Sequence, residues 1–409
     1  MFEPTCRFCS TPLRHVFLDL GQQPAANSYV MPGFEVRERR FPLTVRVCEA
    51  CFLVQADAPV SPDAIFSDYA YFSSFADSWV EHARLYADHM RQQLALGPHS
   101  LVVEIASNDG YLLQHFKAAG VPVLGIEPAA NVAAAAQKRG IDTKVVFFGT
   151  ATARALANEG LAADLMAANN VLAHVPDIGD FCEGFAILLK DHGIVTFEFP
   201  HLANLIAKVQ FDTIYHEHFS YLSLLAVEHV FATSGLKAVD VEVLTTHGGS
   251  LRVHAVKTSN PRAPSAAVIT MRQREHDAGI DQIATYDGFP ARVEALKGAF
   301  RAFLKEAAGA GKKVAAYGAA AKGNTFLNAC GVSAGDINCV FDRSDAKQGR
   351  LLPGSHIPIL APHLLATIKP DYLVILPWNL RDEIMQQMAT LREWGGKFVT
   401  AIPDLEIHD

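Results

Sequence analysis

The run Tyr215-His216-Glu217-His218-Phe219-Ser220-Tyr221 gathers two imidazoles, a carboxylate and two phenols. These side chains exchange protons near neutral pH: histidine directly, glutamate once its pKa is raised, tyrosine as a donor. A polar turn could carry the same residues. Their place after a Rossmann-like segment, where a substrate would lie beside a cofactor, favours a catalytic cluster. Asn169, Asn170 and His174 stand at the carboxyl end of an expected strand, where parallel sheets place their sites. His174 can equally be a satisfied structural histidine.

Seven cysteines are present. Cys6-Arg7-Phe8-Cys9 and Cys48-Glu49-Ala50-Cys51 are two C-x2-C hooks, each able to turn both sulfurs toward one point. Four thiolates complete a tetrahedral shell with no position for water, so the expected zinc is structural. The stretch between the hooks is longer than in compact zinc ribbons. With few apolar residues of its own, the module is expected to need the metal to fold. Cys182, Cys330 and Cys339 read as small buried apolar residues.

The elements that must position these groups follow from patterning. A chain of 409 residues, 50% hydrophobic and 19% charged, is expected to form two or three well-packed domains. A net charge of −8 leaves no basic footprint for nucleic acid. No apolar run approaches the roughly 18 residues that span a bilayer, and the first residues lack a secretory pattern. The expectation is a cytoplasmic protein with no membrane or nucleic-acid partner; the sequence leaves the oligomeric state open, a monomer being one alternative.

The fold class is α/β in three parts: a zinc-binding module at 1–60, a Rossmann-like domain at 61–260, and a second Rossmann-like domain at 285–409. Leu101-Val102-Val103-Glu104-Ile105 predicts a strand, followed by the turn Ala106-Ser107-Asn108-Asp109-Gly110 and a helix from Tyr111-Leu112. The turn keeps one of the three glycines of a dinucleotide fingerprint and fits an S-adenosylmethionine loop better. Glu127, ending the next strand, can accept from both ribose hydroxyls. The cofactor set is thus Glu104, Ala106, Asn108, Gly110, Tyr111, Leu112, Glu127, Asn169 and Asn170. His247-Gly248-Gly249-Ser250-Leu251-Arg252 predicts a hairpin, with Arg252 able to hold an anion. A boundary falls near Asn260-Pro261, followed by a polar segment and a helix from Asp287 to Ala308. Tyr317-Gly318 through Lys322-Gly323-Asn324 is a second strand–turn–helix corner, suited to a diphosphate. Asp342 stands where a nucleoside hydroxyl could be read. Tyr69 and Tyr71, in an aromatic run, can pack a domain interface or face a ligand.

Taken together, the two hooks, D-Y-x-Y-x-S-S, E-I-A-S-N-D-G, N-N-V-x-A-H-V, Y-H-E-H-F-S-Y, H-G-G-S-L-R-V and Y-G-A-A-x-K-G-N-T resemble the nucleotide-sugar C-methyltransferases, which methylate a carbon of dTDP-4-keto-deoxysugars. The resemblance spans essentially the whole chain. It implies zinc in the first domain, away from the chemistry, S-adenosylmethionine in the second and the sugar nucleotide in the third. It implies His218 as the base beside Tyr215 and Glu217, His174 as a further active-site histidine, and Tyr69 or Tyr71 in the sugar pocket. Arg252, Tyr317, Lys322, Asn324 and Asp342 form the expected substrate set. Glu217 would fix the His218 tautomer or raise its basicity, and methyl delivery opposite the departing proton would invert C3. The rival readings are an O-methyltransferase, a 4-keto-sugar epimerase and a non-catalytic zinc-ribbon protein.

Overall fold

The computed structural model describes residues 3–33, 38–57, 72–75 and 77–409. Tyr69 and Tyr71 lie outside the described residues. At the N-terminal end β1 (His15–Pro24) and β2 (Arg40–Val47) form an antiparallel hairpin, and β3 (Val54–Ala56) pairs with β2. Leu43, Val45 and Val47 alternate inward along β2, the period-2 signature of a half-buried strand. The fourth strand of this sheet, Ser220–Tyr221, comes from the middle of the chain and pairs with β3.

Helix α1 (Asp77–Gln93) buries Ala83, Tyr86, Ala87 and Met90, one face at helical spacing. It precedes the central strand β4 (Val102–Ile105), which is buried throughout. There follow α2 (Leu113–Ala118), β5 (Val123–Ile126), α3 (Ala130–Lys138), β6 (Thr143–Lys144), α4 (Thr150–Asn158), β7 (Ala163–Asn169), α5 (Ile178–Leu188) and β8 (Leu189–Pro200). Beyond β9 (Ser220–Tyr221) and α6 (Leu224–Thr233), the hairpin β10 (Leu236–Leu244) and β11 (Ser250–Lys257) completes the sheet. The strand order is β10-β11-β8-β7-β4-β5-β6, parallel except for β11, which runs antiparallel to both neighbours. Order reverses at β4, so the crevice lies at the carboxyl ends of β4 and β7.

The segment after β11, expected to be merely polar, contains α7 (Ala266–Asp277). Val268 and Met271 are buried, as is Glu275, whose carboxylate accepts from the Leu224 and Leu225 amides at the mouth of α6. A buried acid doing a capping task hides a helix from a hydrophobicity reading. The long helix α8 (Phe289–Gly309) buries Val293, Phe300 and Leu304 and half-buries Leu296, one apolar face at helical spacing. It leads to β12 (Val314–Tyr317), α9 (Ala321–Ala329), β13 (Val340–Phe341), β14 (Ile359–Leu360), β15 (Tyr372–Ile375), β16 (Lys397–Thr400) and β17 (Glu406–His408). The order β14-β13-β12-β15-β16-β17 reverses at β12.

One apolar core joins the two ends of the chain. Phe17, Val45 and Val47 of the first sheet share it with Phe211, Phe289, Phe300, Phe326 and Leu376. Phe17 stacks on Phe289 with ring centroids 4.5 Å apart. The N-terminal module therefore packs on borrowed apolar surface, beyond what a metal alone would supply.

Candidate active site

A cavity of about 1340 Å³ lies among the described residues where the carboxyl ends of both Rossmann-like sheets meet the segment after β1. It exceeds the usual volume for one small ligand, about 300–1,000 Å³. Along the β4 side, Ala106, Asn108 and Gly110 adopt φ of 55°, 50° and 80°. Left-handed residues without a glycine cost energy and mark a turn shaped for its task. A Cβ at Gly110 would also come within 2.9 Å of Ile141. The Glu127 carboxylate accepts from the Asn108 and Ala129 amides at 2.9 and 2.8 Å, which fixes the turn. Ala106, Asn108, Tyr111, Glu127, Asn169 and Asn170 line the cavity, whereas Glu104, Gly110 and Leu112 support the turn from outside its lining. Glu104 is buried, which raises its carboxyl well above the usual range. Ser73 and Ser74, at the described end of the aromatic run, bond to Asn108 and Asp109 of the same turn.

The acid–base cluster follows a short turn at Phe211–Thr213. His218 Nδ1 lies 2.7 Å from the Thr213 carbonyl, so that nitrogen carries the proton and donates. The Tyr215 hydroxyl then donates to Nε2 at 2.8 Å. Burial, with His174, His247 and Lys322 nearby, holds the His218 pKa well below its ordinary value, so the ring is neutral at pH 7. His174 stands edge-on, centroids 4.7 Å apart, and burial lowers it to about 4. Contrary to expectation, no hydrogen bond among the described residues joins the Glu217 carboxylate to the His218 ring. That carboxylate takes a 2.6 Å bond from Asn27, and burial raises it to about 7. The tautomer is set instead by a backbone carbonyl, which no spacing in the sequence reveals.

The C-terminal wall supplies Lys322 and Lys347. The Lys322 ammonium bonds to Asn379 and lies 5.0 Å above the Trp378 ring. Burial lowers its pKa, and the nearby Asp212 carboxylate opposes that. Asp342 holds the turn itself, accepting from the Ala319 and Ser344 amides at 2.8 Å. Four members of the expected substrate set, Asp342 among them, do not line the cavity. Tyr317 shares a separate core with Ala315, while Ala316 faces the opposite way, as strand alternation requires. Asn324 is buried and accepts from Asn328. Arg252 sits across from Glu198 and Glu242 in the β8-β11-β10 ladder and pairs with both, at 2.7 and 3.2 Å. Its charge is spent within the sheet.

The four sulfurs of Cys6, Cys9, Cys48 and Cys51 lie within 4.8 Å of one another. The separations Cys6–Cys51, Cys9–Cys48 and Cys9–Cys51 are 3.7, 3.5 and 3.6 Å. A zinc tetrahedron with bonds of about 2.3 Å has edges of about 3.8 Å. Gln55 donates to Cys6 Sγ at 3.1 Å as an outer partner. The scattered Cys182, Cys330 and Cys339 are buried.

Comparison with known proteins agrees with this geometry. Residues 6–66, 79–241 and 245–403 match family models described as "Putative zinc binding domain", "Methyltransferase domain" and "C-methyltransferase C-terminal domain". The C-methyltransferase NovU of Streptomyces niveus is 36% identical over 400 residues, covering 98% of this chain and 95% of that protein. The chain belongs to the C-methyltransferase family. Among solved structures, magnesium protoporphyrin IX methyltransferase from Synechocystis PCC 6803 with bound SAM is 17% identical over 44% of this chain and 82% of that one, with a TM-score of 0.33. An S-adenosylmethionine-dependent methyltransferase from Clostridium acetobutylicum is 9% identical over 47% and 94%, with a TM-score of 0.36.

This C-methyltransferase uses S-adenosylmethionine and carries a zinc site, and its residues suit both. The side-chain oxygens of Asn169 and Asn170 are buried at the cavity wall with no hydrogen-bond partner among the described residues. Two orphaned acceptors beside a strained turn await ligand donors. Sequence reasoning missed Asn27, Tyr29, Thr213, His247, Lys347 and Asn379, all of which line the cavity. Their signal is tertiary, apart from His247, which lay within a motif and adopts φ 53°. Among the described residues, no helix is long and apolar enough to cross a membrane.

Proposed function

We propose that the enzyme methylates C3 of a nucleotide-linked, dTDP-type 4-keto-6-deoxysugar through an enolate. The observation that carries this reading is the hydrogen-bonded line Thr213–His218–Tyr215 in a cavity shared by the cofactor turn and the Lys322 turn. A carbon beside a ketone becomes nucleophilic after losing a proton, and a neutral histidine aimed by a carbonyl suits that task. Tyr215 and His218 act as a unit in which the imidazole ends with the proton. His174, buried and neutral, hydrogen-bonds the developing enolate oxygen in this reading. S-adenosylmethionine supplies the electrophilic methyl, and the chain's task is to align carbon and donor. Delivery opposite the departing proton inverts C3.

Three units divide the labour: 1–60 binds zinc, 61–260 binds the donor, and 285–409 holds the nucleotide with Lys322 at its turn. A cytoplasmic setting fits this reading, since paired thiols that ligate metal suit a reducing compartment. NovU is named a C-methyltransferase, which supports carbon as the acceptor. The test is mass spectrometry after incubation with the donor and a panel of dTDP- and GDP-4-keto-6-deoxysugars. One added methyl on carbon, absent with His218→Asn, is expected. Methylation on oxygen, or undiminished transfer by the variant, overturns the reading.

A further inference from the structure

Residues 25–31 follow β1 at the zinc-bearing end of the chain, yet they line the active-site cavity. Two of their side chains form a continuous line. Asn27 Nδ2 donates to Glu217 Oε1 at 2.6 Å. The Tyr29 hydroxyl donates to the Ala319 carbonyl at 2.6 Å and lies 3.3 Å from Asn27 Oδ1. Ala319 heads the C-terminal turn: its amide donates to Asp342, and its carbonyl also accepts from Lys347 at 2.9 Å. Backbone bonds of Val30 with Leu351, at 3.0 and 2.8 Å, pin the segment to the C-terminal domain. A hydrogen-bonded partner of an active-site carboxylate thus comes from one end of the chain and lies beside a tyrosine bonded to the other.

We propose that Asn27 is a positioning residue for Glu217, and that Tyr29 ties this position to the C-terminal turn. The zinc-bearing end of the chain then completes the catalytic apparatus. An amide has a donor end and an acceptor end, and a carboxylate oxygen, which accepts, selects the orientation that turns Nδ2 toward it. Glu217 is 7% exposed, so a donor to its carboxylate governs both its direction and its ionisation. Nothing in the linear sequence joins positions 27, 29, 217 and 319.

The proposal rests on Glu217 belonging to the catalytic group, and its test has two arms. In the kinetic arm, Asn27→Leu is expected to lower kcat about tenfold with KM within twofold, and to cost nothing further in a Glu217→Gln background. Independent losses that multiply, or a loss carried by KM, overturn it. The second arm needs no substrate: the Glu217 carboxyl is titrated by carbon-13 NMR against Glu217→Gln. Tyr29, His174, Tyr215, His216, His218, Lys322 and Lys347 line the same cavity and are retained in the variant. Asn27→Leu removes a donor that favours the charged form, so the midpoint is expected to rise by about one unit. An unchanged midpoint overturns the proposal. A wild type inactive on every keto sugar would strike the substrate class, while the titration still decides the role of Asn27.

Discussion

At the scale of single residues, environment decides which groups do chemistry. His218 must be neutral to accept a proton, and its pKa lies below 6.5, so protonation does not limit it near neutrality. The acidic limb of kcat/KM set by His218 is expected below pH 6.5; since Glu217 titrates near 7, it is read in Glu217→Gln, where a limb at pH 7 or above would contradict the assignment. Tyr215→Phe leaves Nε2 without its donor and is expected to cost about 10²-fold in kcat. Glu217 shows the opposite sign. Its folded pKa, about 7, exceeds that of the unfolded chain, so the folded state holds an extra proton between the two values. Stability contributed below pH 4.5 is lost as pH rises through 7. Glu217→Gln is therefore expected to raise stability at pH 8 by about 1–3 kcal/mol while lowering activity, with the gain vanishing at pH 4. Denaturant melts at both pH values read this directly. Asp212, raised to about 6 by burial, follows the same rule beneath Lys322.

At the scale of elements, short-range patterns were legible and side-chain facing was not. Each cysteine hook, like the 106–110 turn and the 318–324 turn, sits within a few residues and takes its shape from local chain geometry, while the β1–β2 hairpin brings the two hooks together. Gly318 shows why: at φ +92°, a Cβ there would come within 2.4 Å of the Pro377 ring. Arg252 and Tyr317 stand outside the cavity lining because a strand points alternate residues to opposite faces, and register is set by partners far away in sequence. Arg252 lies 2.7 Å from a Glu198 that is fully buried and held down to about 2 by His82 and Arg252 against burial. Arg252→Ala strands that charge and is expected to cost about 3–5 kcal/mol in unfolding free energy. KM for the sugar nucleotide should stay unchanged in the folded fraction. A raised KM at intact stability would restore Arg252 to the substrate set.

At the scale of the molecule, the zinc end and the catalytic segment are parts of one structure. Arg7, inside the first cysteine hook, donates to the carbonyls of Ala56 and Phe219, and Phe219 follows the proposed base directly. β3 pairs with β9 through Gln55 and Ser220, while Gln55 also reaches Cys6. Metal removal is expected to loosen this seam while the shared core around Phe17 and Phe289 keeps the chain compact. Chelation should release one zinc per chain, lower the melting temperature, and widen amide exchange around 216–221 before the β4 and β7 strands open. Exchange confined to the hooks would show that the zinc acts locally. The most direct test of the enolate claim separates proton removal from methyl transfer. Enzyme and keto sugar are held in heavy water with S-adenosylhomocysteine in place of the donor, and deuterium at C3 is followed by NMR. The wild type should take up deuterium and His218→Asn should not. No uptake by the wild type, or equal uptake by the variant, would contradict His218 as the base.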